Sequence, residues 1–173
     1  MTGGEPSAPG RAGCATEADL RWLRRAIELS RLCPPSQTAF AVGALVVADD
    51  GSVLATGYSR EGSPYDHAEE AALAKLDPAD PRLAGATIYS SLEPCAARAS
   101  RPRPCAELII VAGLRRVVIG WLEPPVFAAG GGAGVLRAAG VTVVEIGDLA
   151  AEARAVNVAV LGGDAAAGGG ARS

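Results

Sequence analysis

The first third of the chain contains one helical hydrophobic pattern followed by two extended ones. Apolar residues recur every three or four positions over 20–32, after Thr16, which is a residue type preferred at helix N-caps. Two largely apolar runs, 40–48 and 53–58, flank the turn sequence Asp49-Asp50-Gly51. The pattern therefore predicts a first helix and then a β-hairpin.

From residue 68 onward, helical and extended patterns alternate. Helices are predicted over 68–76, 105–112, 135–139 and 148–161, and strands over 86–91, 116–121 and 141–146. A strand, helix, strand order favours a right-handed crossover, so the last two strands should be parallel. Together these elements predict an α/β fold, a three-layer α/β/α sandwich around a five-stranded mixed sheet.

Length and composition indicate one globular domain. The chain has 173 residues, 49% of them hydrophobic, with a mean hydropathy of +0.23, which is enough for one buried core. Segments 1–15 and 162–173 are rich in Gly, Ala, Pro and Ser, and we expect a disordered leader and tail on either side of a domain at 16–161. No apolar run is long enough for a membrane span, and the N-terminal segment lacks a secretion-signal pattern, so we expect a cytoplasmic protein with no membrane partner.

Charge and cysteine content narrow the class of function. The net charge is -3 and the pI is about 5.2, which disfavours polymeric nucleic acid as a partner. The four cysteines are widely spaced, and without a secretion signal a disulfide framework is a poor expectation. Metal binding or catalysis is the better interpretation of these thiols.

One histidine and two cysteines form a candidate zinc site. His67 begins His67-Ala68-Glu69, and the steps Pro94-Cys95 and Pro104-Cys105 follow at 28 and 38 residues after it. A catalytic zinc ion takes three protein ligands and leaves one position for water, and one imidazole with two thiolates meets that need. We expect each thiolate to lie at or near a helix start, where backbone N–H groups stabilise a negative sulfur.

Glu69 is the candidate general acid and base of this site. A zinc-bound water loses its proton near neutral pH, but a base must receive that proton and pass it to a leaving group. Glu69 lies two residues beyond a ligand on a helical turn, so its carboxylate can reach the water without binding the metal. His-x-Glu followed by Pro-Cys-x-x-Cys is the signature of zinc nucleobase deaminases, although nine residues separate the cysteines here.

The segment from Ser91 to Cys105 resembles the deaminase domain of the bifunctional riboflavin-biosynthesis deaminase/reductase, a member of the cytidine-deaminase superfamily with a long inter-cysteine loop. The resemblance covers roughly residues 20–146. It implies a cytidine-deaminase-like fold, and zinc-dependent hydrolysis of an exocyclic amine on a small aminopyrimidine-type base, nucleoside or nucleotide. The riboflavin-pathway diaminopyrimidine ribosyl phosphate is one candidate. Members of this superfamily usually pair, so we expect a homo-oligomer, most simply a dimer.

Near the expected substrate the chain departs from that pattern. Ala39-Phe40-Ala41 replaces an Asn-Pro step, Ala96-Ala97 replaces a Ser-His pair, and the segment Glu123-Pro124-Pro125-Val126 is altered. Arg101 matches an arginine of the family's inter-cysteine loop and, with two further loop arginines, suits either a substrate phosphate or a structural contact. The residues expected to contact the substrate are Phe40, Ala68, Ser91, Glu93 and Arg101.

Two alternatives remain open. A non-catalytic, zinc-stabilised scaffold or partner subunit would need a closed site, for which Cys33 could supply a fourth ligand, but a structural site has no use for Glu69. A polynucleotide deaminase would need a basic surface, which the acidic pI disfavours. The sequence identifies neither the ring nor the sugar of the substrate.

Overall fold

The N-terminal helix begins where its capping pattern predicts. In the computed structural model, which describes residues 14–124 and 131–167, the Thr16 side chain accepts a hydrogen bond from the Asp19 backbone, and the Asp19 carboxylate accepts one from the Thr16 backbone. These reciprocal bonds satisfy N–H groups that a helix start leaves free. The helices are α1 (Glu17–Ser30), α2 (Ala68–Leu73), α3 (Cys105–Val111), α4 (Gly132–Ala138), α5 (Ala150–Val156) and α6 (Val158–Ala167).

Five strands form one mixed sheet in the order β2-β1-β3-β4-β5. The strand β1 runs antiparallel to both β2 and β3, whereas β3, β4 and β5 are parallel to one another. The predicted hairpin and the predicted parallel pair of last strands are therefore confirmed. The strands are β1 (Gly43–Val47), β2 (Val53–Tyr58), β3 (Thr87–Ser90), β4 (Arg116–Ile119) and β5 (Thr142–Glu145).

Helices cover both faces of the sheet, so the predicted α/β/α sandwich is confirmed. On β1, Leu45 belongs to the core formed with α1 and α5, and its neighbour Val46 to the core formed with α3 and α4. This alternation follows from the period of two along a strand, and both side chains are fully buried. The α1 side is closely packed, because a Cβ at Gly43 would collide with the α1 backbone at Ala26.

Several elements differ from the predicted bounds. The first strand begins at Gly43, and not at residue 40, since 36–42 forms a loop beside the cavity described below. The predicted final helix is divided into a 3₁₀ turn (Gly147–Leu149), α5 and α6. The division lies at Asn157, whose side chain bonds the backbone of Ala41 in that loop.

Most of the predicted leader and half of the predicted tail lie outside the described residues. Residues 1–13 of the predicted leader are not described, and helix α6 continues to Ala167, into the predicted tail. Within the described residues, no helix combines the length and apolar character needed to cross a membrane.

Candidate active site

Three side chains from separate elements converge beyond the end of β3. His67 is the N-cap of α2, Cys95 lies in the loop after β3, and Cys105 is the first residue of α3. The His67 Nδ1 atom lies 3.6 Å from Cys95 Sγ and 3.5 Å from Cys105 Sγ. Their ligand atoms all lie within 4.8 Å of one another, and they are the one such group of potential metal ligands found among the described residues.

Only one of the two proline-cysteine steps begins a helix. Pro104 is the N-cap of α3, as expected, whereas Pro94-Cys95 begins no helix. The Cys95 sulfur nevertheless accepts a hydrogen bond of 3.3 Å from the Cys105 backbone N–H. Both sulfurs therefore lie at the N-terminus of the same helix, where backbone N–H groups stabilise negative charge.

The two cysteines differ in acidity. Hydrogen bonds from the Cys105 thiol, from His67 and from the Cys105 backbone lower the pKa of Cys95. The bond that the Cys105 thiol donates, together with burial, raises the pKa of Cys105. Burial by itself lowers the pKa of His67, but its bond to Cys95 and the charge of Glu69 outweigh burial and raise that pKa. Both shifts follow from one bond, which the Cys105 thiol donates and the Cys95 sulfur accepts.

The donor set fits a zinc ion with an open position. One imidazole and two thiols are ligands that zinc accepts, and His67 and Cys95 also line a cavity of about 320 Å³ that would give water and substrate access. Cys33 does not belong to this group, since its sulfur donates to the Val42 carbonyl. Structural zinc sites are closed by four protein ligands, whereas catalytic sites have three and an open position, so this group fits a catalytic site better.

Glu69 lies on the wall of the same cavity and is 3% exposed. Its Oε1 atom accepts a hydrogen bond of 2.6 Å from the hydroxyl of Ser90, the last residue of β3. Ser90 is fully buried, and the sequence analysis assigned it no role. Its one signal was its position near the end of the predicted strand 86–91, shortly before the Pro94-Cys95 step.

The expected substrate contacts divide into two groups. Phe40 and Glu93 line the cavity, and the Phe40 ring packs edge-on against Trp121 at a centroid distance of 5.5 Å. The structure places Ala68, Ser91 and Arg101 outside the cavity lining. Ala68 is fully buried at the start of α2, and the Ser91 hydroxyl accepts a hydrogen bond from the Gly43 backbone in the sheet.

Glu93 bonds the described residues on either side of segment 125–130. Its carboxylate accepts backbone hydrogen bonds from Glu123, Gly131 and Ala133, at 3.0, 3.3 and 2.8 Å. The bonds to Gly131 and Ala133 hold the start of α4 against the Pro94-Cys95 step. The contact is close, because a Cβ at Gly132 would collide with the Pro94 carbonyl. Pro125 and Val126 of the altered segment lie outside the described residues.

Glu123 is a cavity residue that sequence reasoning noted only as a departure from the family pattern. Burial, followed by the negative charges of Cys95 and Glu69, raises the pKa of Glu123 to about 7. Its Oε2 atom is buried and has no hydrogen-bond partner among the described residues. The departure itself was the signal that could have drawn attention to this position.

The residues 16–121 match the family model described as the cytidine and deoxycytidylate deaminase zinc-binding region. This match covers more than half of the chain. The chain belongs to that deaminase family. The recognition made from the His67, Cys95 and Cys105 pattern is therefore confirmed at the level of the family.

Individual relatives of this deaminase-family chain have names from riboflavin biosynthesis. The diaminohydroxyphosphoribosylamino-pyrimidine deaminase of Schizosaccharomyces pombe is 39% identical over 127 residues, which cover 72% of the chain and 31% of that protein. The riboflavin biosynthesis protein RibD of Actinobacillus pleuropneumoniae is 38% identical over 144 residues, 82% of the chain and 36% of that protein. The chain thus spans about a third of the length of these relatives.

Solved structures support the same fold. Acinetobacter baumannii RibD superimposes with a TM-score of 0.70 and 31% identity, over 84% of this chain and 40% of that one. The predicted cytidine-deaminase-like sandwich is therefore confirmed by a structure as well as by the family model.

Proposed function

We propose that the chain is a zinc-dependent hydrolytic deaminase that removes an exocyclic amine from a small aminopyrimidine-type base, nucleoside or nucleotide. The single observation that carries this proposal is the buried Glu69 carboxylate beside the His67, Cys95 and Cys105 cluster, since Glu69, His67 and Cys95 line the same cavity. A carboxylate next to a three-ligand metal site is the arrangement that hydrolytic deamination needs.

His67, Cys95 and Cys105 would hold the zinc ion. Zinc, when bound, supplies a Lewis acid that makes water a nucleophile near neutral pH. Cys105 would lose its proton on binding, because only a thiolate ligates the metal. The backbone N–H of Cys105 already donates to the Cys95 sulfur and so keeps that ligand in place.

Glu69 would carry the protons of the reaction. As a base its carboxylate takes a proton from the attacking water and gives it to a ring nitrogen. It then takes the second proton, from the hydroxyl added to the ring carbon, and gives it to the departing amine, which leaves as ammonia while the ring carbon becomes a carbonyl. The Ser90 hydroxyl donates to one carboxylate oxygen and holds the group in one orientation. The other oxygen is thereby left available for proton transfer.

The substrate is an aminopyrimidine small enough for a cavity of about 320 Å³. The name of the fission-yeast relative makes the diaminopyrimidine ribosyl phosphate of riboflavin synthesis the first compound to test. The scaffold alternative is weaker, because Glu69 is buried at the site with no structural partner except Ser90 among the hydrogen bonds described.

Metal analysis and an ammonia-release screen test the proposal together. The purified chain should contain about one zinc per molecule and release ammonia from at least one aminopyrimidine base, nucleoside or nucleotide. Glu69→Gln should keep the zinc and lower kcat by about 10² to 10⁴. Glu28→Gln, which removes an exposed carboxylate on α1, is the matched control and should act as wild type. A Glu69→Gln protein as active as its parent would exclude the mechanism, and a wild type inert toward every compound would favour the scaffold.

We further propose a cytoplasmic homodimer that binds no polymeric nucleic acid. Free thiols as metal ligands suit a reducing compartment, and the acidic pI suits a small-molecule substrate. Exposed apolar side chains are available for a subunit interface, namely Leu32, Val111, Leu122 and Val158. Light scattering at micromolar concentration should give twice the chain mass, and a monomer would contradict this assembly.

A further inference from the structure

Arg98, in the loop between the two cysteines, is committed to protein partners. Its side chain is 4% exposed, and its Nη1 atom donates to Glu70 Oε2 at 3.0 Å. Its Nη2 atom donates to the Tyr65 carbonyl at 2.6 Å. Glu70 lies on α2, three residues after His67, so this ion pair joins the inter-cysteine loop to the helix that begins with the histidine.

Arg101 forms ion pairs with the same segment, although its side chain is 37% exposed and its Nε atom has no hydrogen-bond partner among the described residues. Its Nη2 atom donates to Asp66 Oδ1 at 3.0 Å, and its Nε atom lies 3.2 Å from Glu70 Oε1. Two carboxylates of the His67 segment therefore face two arginines of the cysteine loop. We call this set of four residues, Asp66, Glu70, Arg98 and Arg101, the ionic clamp.

A third arginine on the cavity wall is held by backbone carbonyls. Arg60 donates to the Pro34 carbonyl through Nε and Nη2, at 3.2 and 2.7 Å, and to the Phe40 carbonyl through Nη1 at 3.0 Å. Three of its five N–H groups are thus used to fasten the loop over 34–40. The guanidinium keeps its charge, but its forked face is occupied.

Apart from His67, the other ionisable side chains of the cavity wall that could carry charge at neutral pH are acidic. Glu69, Glu93 and Glu123 line it in addition to Asp66 of the clamp. A phosphate dianion would meet carboxylates here, and like charges repel each other.

We infer that this cavity selects an unphosphorylated aminopyrimidine, as free base or nucleoside, and discriminates against the corresponding phosphate because the ionic clamp occupies the arginines that could bind it. This inference rests on the proposed deaminase function and specifies its substrate class. It also sets the chain apart from the fission-yeast relative, whose name specifies a phosphoribosyl substrate. Arg101 then acts in the clamp and not as a substrate contact.

The wild type provides the first test. Ammonia release is measured with zinc-loaded protein on matched pairs, cytidine with its 5′-monophosphate, and the riboflavin-pathway diaminopyrimidine ribosyl phosphate with its dephosphorylated form. We expect kcat/KM to favour the unphosphorylated member of the pair that reacts by at least about 10-fold. Equal or better turnover of the phosphorylated member would overturn the inference while leaving the deaminase proposal intact.

Variants of the clamp test its cause. Asp66→Asn with Glu70→Gln removes both negative charges, frees Arg98 and Arg101, and should shift the kcat/KM ratio toward the phosphate by about 10-fold or more. Each single substitution should give part of this shift, so the test survives if the double variant does not fold. Glu107→Gln is the matched control. Glu107 lies on α3 and pairs with Arg103, an exposed arginine of the same inter-cysteine loop, so its loss should leave the kcat/KM ratio unchanged. An unchanged ratio in all clamp variants would overturn the inference.

A binding measurement separates this inference from the deaminase proposal. Ribose 5-phosphate should show no calorimetric binding to the wild type at about 1 mM, and should bind to the double variant at least about 10-fold more tightly than to the wild type. Binding to the wild type with a Kd below about 1 mM would overturn the inference whatever the turnover. Absence of ammonia from every compound would instead contradict the deaminase proposal. The calorimetry would still decide whether the ionic clamp prevents phosphate binding.

Discussion

The Ser90 hydroxyl donates a hydrogen bond of 2.6 Å to the Glu69 carboxylate, and both side chains are buried. Ser90 ends the central strand β3, while Glu69 lies on the first turn of α2, so the sheet itself orients the proposed proton carrier. A carboxylate fixed in this way can turn its other oxygen toward the three potential metal ligands, His67, Cys95 and Cys105. This relationship gives the first prediction.

Ser90→Ala should lower kcat and leave zinc content near that of wild type. A hydrogen bond to a charged group contributes about 1.5–3 kcal/mol, so a loss of roughly 10-fold or more in kcat is expected. Ser52→Ala, at the exposed hairpin turn, removes a hydroxyl that also bonds a carboxylate and is the control. An effect confined to KM would place Ser90 in substrate binding and not in the orientation of Glu69.

The metal ligands give a second prediction. Cys95→Ala and Cys105→Ala should each lower zinc content well below one ion per chain, because two ligands do not hold zinc tightly. Cys33→Ala removes a thiol whose sulfur bonds the Val42 carbonyl, outside the cluster, and should retain the metal. Elemental analysis after dialysis measures all three. Full zinc content in either ligand variant would refute the assignment.

Asn157 gives a third prediction, since its side chain holds the loop that carries Phe40. Its Oδ1 atom accepts from the Ala41 N–H at 2.7 Å, and its Nδ2 atom donates to the Ala41 carbonyl at 3.0 Å. Asn157→Ala should lower the free energy of unfolding by about 1–3 kcal/mol and raise KM, because these peptide groups lose their partner and Phe40 loses its support. Urea unfolding and steady-state kinetics measure the two effects.

Asn157→Asp separates the accepted bond from the donated ones. An aspartate can still accept from the Ala41 N–H, but it loses the bonds that Nδ2 donates to the Ala41 and Ala153 carbonyls and turns a buried carboxylate oxygen toward them, so it should also destabilise the fold. A KM equal to wild type in Asn157→Ala would mean that the loop keeps its position without this contact.

A fourth prediction concerns acid stability. Burial by itself raises the pKa of the Asp19 carboxyl, but hydrogen bonds from Arg116, Thr16 and Tyr89 outweigh burial and bring it to about 2, below the ordinary 3.8. A depressed pKa stabilises the fold above the ordinary value, and this contribution is lost as the pH falls through the folded-state value. We expect a loss of about 2 kcal/mol from this group between about pH 4 and about pH 2.

Denaturant unfolding of wild type and Asp19→Asn across this pH range measures that contribution. The variant should be less stable at neutral pH, because it weakens the pair with Arg116, whose nitrogens lie 2.7 and 2.9 Å from the carboxylate. The difference between the two proteins should narrow as the pH approaches about 2. A difference that stays constant with pH would show that the carboxylate has its ordinary acidity in the folded chain.

Local sequence pattern was sufficient to predict the helices, the strands and the candidate zinc ligands. The Thr16 cap, the hairpin at Asp50-Gly51 and the alternation of helices and strands depend on residues a few positions apart, and each was predictable for that reason. The residue types at His67, Cys95 and Cys105 likewise suffice to indicate zinc chemistry, because one histidine with two cysteines is a ligand combination typical of zinc sites.

Only the tertiary structure decided which distant groups meet. Asn157 bonds a residue 116 positions away, and the carboxylates of Asp66 and Glu70 are brought to Arg98 and Arg101 by the packing of one loop on one helix. The sequence could not distinguish a phosphate-binding arginine from one engaged in an ion pair, since the side chain is the same in both. Local propensity acts over a few residues, whereas burial and the pairing of charges depend on how the sheet and helices bring remote segments together, and that arrangement determines which charges remain free for a substrate.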